Sequence, residues 1–196
     1  MRPLFFLLLI ATSAFAQTPA PAPDTRYRVD LILFLDKQGA ETPGNAQALE
    51  VEQLLEPDDA PTLESVGIQR LPESETALAK ELQQLRRSKR YQPLTTLSWI
   101  QKNPPAERGP ALHLRWGQPL SANGVTLNTV DGSVALLLGQ YLRLDVDLNY
   151  NSLRSDGTLG SVPLKERRRM KRDELHYLDS PKLGVLAKIT RLKAAR

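Results

Sequence analysis

Residues 141–150 (YLRLDVDLNY) show the sharpest hydrophobic alternation in the chain. Apolar side chains occupy every second position, and charged or amide side chains occupy the positions between them. A period of two predicts a β-strand with one face in a core and the other in solvent, because successive side chains of a strand point to opposite faces. Such a strand requires paired neighbours, so the chain must build a sheet that is covered on at least one side.

Further strands are predicted before and after this one. They are expected at residues 27–35, 91–101, 111–118, 162–171 and 184–192, with two β-favouring segments inside 125–138. The first of these strands becomes apolar on both faces, which is typical of a central strand with cover on each side. The pair Asp131-Gly132 separates the two segments of 125–138 and predicts a hairpin turn there. Residues 151–161 are interpreted as a loop.

Residues 73–90 (ESETALAKELQQLRRSKR) predict the main helix. Leu78, Leu82 and Leu85 form a one-sided apolar stripe, with glutamates at the start and cations at the end. Residues 36–72, rich in Pro, Glu and Asp, predict an acidic, partly helical and mobile insertion. One amphipathic helix after the first strand, among mostly sequential strands, predicts an α+β fold with a largely antiparallel β-sheet.

The first sixteen residues predict export. A short basic start precedes the apolar run LFFLLLIA, and the small-x-small pattern of Ala14-Phe15-Ala16 is typical of a signal-peptide cleavage site. We therefore expect cleavage after Ala16, a Pro/Ala linker over 17–25, and a single α+β domain over 26–196. The expected location is the periplasm, and the signal peptide by itself is equally compatible with full secretion. No cysteine is present, which excludes disulfides and lipid attachment through cysteine. No second long apolar run follows, so we expect no membrane span in the mature chain.

Charge is distributed unevenly along the sequence. Residues 24–75 contain 12 acidic and 4 basic side chains, whereas residues 162–196 contain 11 basic and 4 acidic ones. This asymmetry predicts either an internal electrostatic match or an anionic partner for the basic end. Nucleic acid is an unsuitable partner, because an exported protein rarely meets it and the basic run lacks interleaved aromatic residues for stacking on bases.

Four cations share one face of the strand predicted over 162–171. They are Lys165, Arg167, Arg169 and Lys171. Because the planar guanidinium of arginine holds a carboxylate with two parallel hydrogen bonds, this face is suited to an anionic polymer. If the strand instead pairs with 141–150, Asp145 and Asp147 lie opposite the arginines and form cross-strand ion pairs. Both interpretations stay open on the sequence alone.

His176, Tyr177 and Asp179 follow the basic run in the stretch HYLDSP. A Ser-His-Asp catalytic arrangement with Ser180 is not supported, because a serine directly before Pro181 lacks the strand-to-helix turn that exposes a nucleophile. The two histidines of the chain are 63 positions apart, which matches no known metal-site spacing. No catalytic residue, metal ligand or cofactor is predicted.

The same stretch has a simpler structural interpretation. Residues 179–182 (DSPK) are turn formers and are expected to lead into the last strand. Tyr177 is suited to stacking on a sugar ring, whereas Trp99 and Trp116 share their strand faces with leucines and are predicted to lie in the core.

The segments YRVDLILF, WIQ, QYLRLDVDL and RRMKRDELHYLDSPKLGVL, in this order, resemble the CsiV family. These are small periplasmic proteins of Gram-negative bacteria that bind peptidoglycan and assist its synthesis. The resemblance covers most of the chain after the predicted signal peptide, and residues 168–186 are its most specific part. Arg143 and Ser180 stand where the family pattern usually has histidines, so a role that depends on those imidazoles does not carry over.

The resemblance implies a non-enzymatic binding protein whose partners are peptidoglycan, a class A penicillin-binding protein and its outer-membrane lipoprotein activator. The expected peptidoglycan-binding residues are Arg167, Arg168, Arg169, Arg172, His176, Tyr177 and Asp179. The competing hypothesis is a periplasmic protein–protein adaptor without direct glycan affinity, which uses the acidic segment 36–75 to hold a basic partner.

Overall fold

The computed structural model of the protein describes residues 24–40, 44–45 and 53–193. The predicted signal peptide, its cleavage site and most of the predicted linker lie outside the described residues, as does part of the acidic insertion.

The described residues form eleven strands, two α-helices and one 3₁₀ helix. In chain order these are β1 (Arg26–Asp36), β2 (Gly44–Asn45), β3 (Leu54–Leu55), α1 (Ala60–Ser65), β4 (Ile68–Leu71), the 3₁₀ helix (Glu73–Glu75), α2 (Ala79–Arg87), β5 (Tyr91–Lys102), β6 (Ala111–Ala122), β7 (Val125–Leu138), β8 (Leu142–Leu153), β9 (Leu159–Arg169), β10 (Leu175–Asp179) and β11 (Leu183–Leu192).

The strands are arranged in two sheets. Sheet A has the order β10-β11-β1-β5-β4, and sheet B has the order β2-β9-β8-β7-β6-β3. Among the described strands only the short β3–β6 pair is parallel, and all other pairs are antiparallel. The structure therefore agrees with the predicted α+β class and its largely antiparallel sheet, with strand far in excess of helix.

The main core lies between the two sheets. Val29, Leu31 and Leu33 of β1 belong to the same buried cluster as Leu144 and Val146 of β8. Along β8, buried residues alternate with partly exposed ones as the period of two predicts. Because this core holds the inner faces of both sheets, their outer faces point away from each other.

A second apolar cluster covers the opposite face of sheet A. Ile32 and Phe34 of β1 are buried there against Leu78, Leu82 and Leu85 of the α2 region. The strand β1 is thus covered on both faces, as the apolar composition of residues 31–35 predicts.

The single long helix predicted over residues 73–90 is not confirmed. Only Glu73–Glu75 (3₁₀) and Ala79–Arg87 (α) are helical, and Thr76 between them is not, with ψ 132°. The amide of Ala77 donates to Oδ1 of Asp30 at 2.9 Å, and Arg28 donates to the carbonyl of Glu75. The side chains of Asp30 and Arg28 thus hydrogen-bond backbone groups that a continuous helix would use for its own hydrogen bonds. The helix is therefore interrupted at this point.

The hairpin turn predicted at Asp131-Gly132 is wrong, because both residues lie inside β7. A Cβ atom at position 132 would lie 2.2 Å from the carbonyl oxygen of Asp147 and 2.6 Å from Cα of Leu148. The glycine is therefore required for the close approach of β8 and does not mark a turn.

The actual turn between β6 and β7 is at Asn123-Gly124. Both residues have positive φ, 52° and 78°, as in the two-residue turns that fit the twist of a hairpin. The loop predicted over 151–161 is also shorter than expected, since β8 extends to Leu153 and β9 begins at Leu159.

Residues 53–72, the end of the predicted acidic insertion, contain regular structure. They include β3, α1 and β4, and β4 pairs with β5 at the edge of sheet A. Asp59 caps α1 by accepting the amide of Thr62 at 3.3 Å and its hydroxyl at 2.6 Å.

We expect Asp30→Asn to lower the free energy of unfolding by about 2–4 kcal/mol, as measured by urea titration. The Asp30 side chain is buried and accepts hydrogen bonds from Arg28, Ser98 and the amide of Ala77. An amide in its place leaves part of this donor set without an acceptor. Asp173→Asn is the matched control, because Asp173 is exposed at φ 63°, a conformation that asparagine tolerates.

The stability of Asp30→Asn and that of Asp173→Asn should also depend differently on pH. Burial by itself raises the pKa of Asp30, but the hydrogen bonds from Arg28, Ala77 and Ser98 outweigh it and hold the pKa below its usual range. The stability that the carboxylate contributes is thus present above about pH 3.9 and is lost as the pH falls through the lower folded pKa. Asp30→Asn should lose this part of the acid dependence, and equal pH profiles for the two variants would contradict the assignment.

Candidate functional site

The outer face of sheet B carries the cations that the sequence places on one side of β9. The register sets Arg167 opposite Asp145 and Lys165 opposite Asp147. Arg167 donates from Nε to Oδ2 of Asp145 at 3.0 Å, and Nζ of Lys165 lies 2.8 Å from Oδ2 of Asp147. The cross-strand interpretation therefore holds for these two cations.

One end of this face has a different arrangement, formed by Tyr141, Arg143 and Arg169, which we call the arginine end. Arg143 and Arg169 lie directly opposite each other on β8 and β9. The guanidinium of Arg169 stacks on the ring of Tyr141, with Cζ 3.6 Å from the ring centroid. No carboxylate within the described ranges forms an ion pair with either arginine.

Two like charges directly opposite each other in a sheet are unfavourable, and an anion that binds between them removes this repulsion. Stacking on Tyr141 holds the plane of Arg169 while its N–H groups stay available to an acceptor. The arginine end is therefore suited to binding a carboxylate.

Two of the predicted arginines are placed elsewhere. Arg168 lies on the core side of β9 near the edge of sheet B, where its Nε donates to Glu166 at 2.5 Å. Arg172 is exposed in the turn that follows β9. The turn carries the chain from sheet B to β10 in sheet A.

His176 has a structural role in that connection. Its Nε2 accepts the backbone amide of Lys171 at 3.0 Å, and the ring is partly buried on the inner side of β10. The imidazole thus closes the turn between β9 and β10 and is not directed at the arginine end.

Tyr177 and Asp179 lie on the outer face of sheet A, on the same side of β10. Since the outer faces of the two sheets point in opposite directions, the structure does not bring these residues together with Arg167 and Arg169. The seven predicted residues are therefore divided among the outer faces of the two sheets, the inner sides of β9 and β10, and the turn that joins these strands.

Tyr177 belongs to a group of rings that sequence reasoning did not find, and which we call the aromatic cluster: Phe34, Tyr91 and Tyr177. The ring of Tyr177 is nearly parallel to that of Phe34, at 13° and 6.0 Å between centroids. The ring of Tyr91 meets Phe34 edge-on at 5.3 Å. The three rings lie on three different strands. They come together because β1 pairs with β5 on one side and with β11 on the other, and β11 pairs with β10.

Charged groups border the aromatic cluster. Arg90 lies over the ring of Tyr91, with Cζ 5.2 Å from the centroid, and donates to both carboxylate oxygens of Asp36 at 2.6–3.0 Å. Burial is the main reason that the pKa of Tyr177 is raised, and the charge of Asp179 adds to it. The hydroxyl of Tyr177 therefore keeps its proton at physiological pH.

A third charged group lies on the outer face of sheet B, away from the arginine end. Nδ1 of His113 lies 2.8 Å from Glu56, and its Nε2 lies 2.8 Å from Asp131. Arg115 also donates to Glu56. This group joins the chain just after β3 to β6 and β7, so we assign it a structural role. Within the described residues, no group of three or more His, Cys, Asp or Glu side chains is arranged to hold a metal ion.

None of the helices that the structure describes is both long enough and apolar enough to cross a membrane.

A protein-family model described as "Peptidoglycan-binding protein, CsiV" matches residues 4–192. No curated protein and no solved structure gives a significant match to the chain. The family match covers both the arginine end and the aromatic cluster.

We expect His113→Ala to raise the pKa of Glu56 towards the usual range, as measured by carboxyl ¹³C NMR titration. Burial alone raises the pKa of Glu56, but the hydrogen bond and charge of His113, followed by those of Arg115, hold it below that range. The matched control is Arg115→Gln, for which a smaller rise is expected because Arg115 has the lesser influence. An unchanged pKa in His113→Ala would show that the contact does not persist in solution.

Proposed function

Because the chain belongs to the CsiV family of peptidoglycan-binding proteins, we propose that it binds peptidoglycan through the arginine end of sheet B. In this proposal it is a non-enzymatic protein that assists cell-wall synthesis together with a class A penicillin-binding protein and its outer-membrane lipoprotein activator. A peptidoglycan-binding family indicates a periplasmic or cell-wall location. We further propose that the signal peptide directs export, that it is cleaved after Ala16, and that the mature chain resides in the periplasm.

The observation that carries the proposal is the unneutralised pair Arg143 and Arg169. The stem peptides of peptidoglycan present carboxylates, and a guanidinium binds a carboxylate with two parallel hydrogen bonds. Arg167 lies two residues before Arg169 on the same face of β9 and already forms an ion pair with Asp145. It therefore contributes mainly to the positive electrostatic potential of this face. Arg172, exposed in the following turn, extends the positive surface.

The carboxylates near this face support a binding role over glycan cleavage. A glycosidase needs two carboxyl groups that face each other across the scissile bond. Here Asp145 and Asp147 are engaged by Arg167 and Lys165 respectively. Glu166 lies on the core side of β9, where it is engaged by Arg168.

A separate surface supports a protein partner. The hairpin of residues 117–129 has no charged residue. Its cross-strand pairs Leu120–Leu127 and Ala122–Val125 share one face, and Val125 is 48% exposed. An uncharged, partly apolar ribbon does not suit an anionic polymer but does suit a protein surface. We propose that this face of the hairpin binds the penicillin-binding protein or its activator.

We expect Arg167→Glu/Arg169→Glu to reduce retention of the mature chain on insoluble peptidoglycan sacculi about tenfold at low salt. The substitution replaces two cations by two anions on the face that carries the arginine end. Retention of the unchanged protein should also weaken as salt rises, because exposed charges are screened. The measurement is the fraction of protein that co-sediments with sacculi.

The charge-matched control is Arg86→Glu/Arg87→Glu, which makes the same change in charge at the exposed end of α2. Its retention should stay near that of the unchanged protein. Absence of retention of the unchanged protein at low salt would overturn glycan binding and favour the adaptor hypothesis. Equal loss in both double variants would show that net charge, and not the arginine end, determines retention.

We expect Val125→Asp to weaken binding to the purified class A penicillin-binding protein or to its activator by about tenfold in biolayer interferometry. A charge placed on the apolar face of the hairpin would have to be buried on association. Thr126→Asp is the matched control, since Thr126 lies on the polar face, where its hydroxyl contacts Ser121 at 2.8 Å. No binding of the unchanged protein to either partner would contradict this part of the proposal.

A further inference from the structure

We propose that the aromatic cluster on the outer face of sheet A is a second ligand site, which binds an uncharged pyranose ring of a glycan strand against Tyr177. The inference rests on the proposed function, because it takes the ligand to be part of peptidoglycan. It adds a site on the face opposite the arginine end and names the chemical class that the site takes.

The rings supply an apolar platform that is open to solvent. Tyr177 is 46% exposed, whereas Phe34 beneath it is 3% exposed. Their near-parallel arrangement, 13° at 6.0 Å, holds the face of Tyr177 in a fixed direction. One face of a pyranose ring presents C–H groups, so it packs on such a ring as other apolar groups do, while its hydroxyls remain at the rim.

The rim of the cluster supplies both donors and acceptors. Arg90 uses Nε and Nη2 on Asp36, and the guanidinium has further N–H groups that a sugar hydroxyl or acetamide oxygen can accept. Asp36 and Asp179 supply carboxylate oxygens for sugar hydroxyls. The hydroxyl of Tyr177 keeps its proton, so it donates as well as accepts.

The charge of the rim selects against an anionic ligand. Asp36 and Asp179 border the rings, and the guanidinium of Arg90 is already ion-paired with Asp36. The nearby Lys182 is buried and its Nζ lies 3.3 Å from the carbonyl of Gly39. A peptide carboxylate is therefore better placed at the arginine end, and the uncharged sugar is the part of peptidoglycan that fits here.

The strands of sheet A fix the positions of Phe34 and Tyr177. Phe34 lies opposite Gly184 of β11, and a Cβ atom at position 184 would lie 2.3 Å from its Cζ. The ring of Phe34 thus occupies space that only glycine leaves open, and Tyr177 on the next strand leans on it. Sites on strands keep their geometry better than sites on loops, so the cluster is formed before any ligand arrives.

The test uses the mature chain and an uncharged hexamer of β-1,4-linked N-acetylglucosamine, titrated by isothermal calorimetry. Tyr177→Ala should weaken binding about tenfold, which corresponds to about 1.4 kcal/mol. Tyr177→Phe keeps the ring and should stay within about twofold. Leu153→Ala removes an exposed apolar side chain from the outer face of sheet B, outside both proposed sites, and should leave hexamer affinity unchanged.

Gly184→Ala provides a second variant that alters the platform without touching the exposed surface. It displaces Phe34 and should weaken hexamer binding even where circular dichroism shows a folded protein. Arg167→Glu/Arg169→Glu should bind the hexamer as the unchanged protein does, although it loses retention on sacculi.

The outcomes separate this inference from the proposed function. If the unchanged protein is retained on sacculi but does not bind the hexamer at millimolar concentration, the sugar site is wrong and peptidoglycan binding stands. If neither is bound, both are wrong. A folded Tyr177→Ala variant with unchanged hexamer affinity would also overturn the sugar site.

Discussion

A buried carboxylate at the centre of sheet A determines how the helical layer joins the sheets. Asp30 is fully buried and accepts hydrogen bonds from Ser98 of β5, from Arg28 of its own strand and from the amide of Ala77. A buried charge is tolerated only when it is fully paired, so these groups must be present together. The contact with Ala77 sets where α2 begins, and α2 then covers the apolar outer face of β1. Phe34 is part of this covered face, so the aromatic cluster depends indirectly on Asp30.

The sequence predicted the strands well where one face is in the core, as in β8, because a period of two has a direct physical cause. Prediction from the sequence failed where one residue type can serve two different structural purposes. Gly132 looked like a turn residue but is needed for the close approach of two strands. The helix over 73–90 was expected to be continuous because its apolar stripe is regular. Its division comes from Asp30, 47 residues before Ala77, and no local pattern shows a contact of that range.

Some contacts near the candidate site also follow from the sequence, whereas the binding role of its residues stays a prediction. The cations of β9 and their carboxylate partners on β8 follow from alternation and pairing, and Asp145 does pair with Arg167. Arg169 and Tyr177 are close in sequence, but the structure places them on different sheets. Between them the chain leaves sheet B and enters sheet A, with Met170 buried and Asp173 in the left-handed region. Neighbours in sequence thus face opposite directions, and only the sheet topology shows this.

Arg143 and Ser180, the two positions at which the resemblance to the family implies histidines, lie in different environments. Ser180 lies in the turn between β10 and β11, where its hydroxyl accepts the amide of Leu183 at 3.1 Å, so a small hydrogen-bonding side chain suffices there. Arg143 has a larger effect, because it lies opposite Arg169 on an outer face with no carboxylate in the same cross-strand pair. A guanidinium presents several N–H donors in a planar fork that matches a carboxylate, whereas an imidazole presents at most two N–H groups that point in different directions. Arg143 therefore gives the arginine end a second planar donor set opposite that of Arg169, so a carboxylate bound between the two strands can be held from both sides.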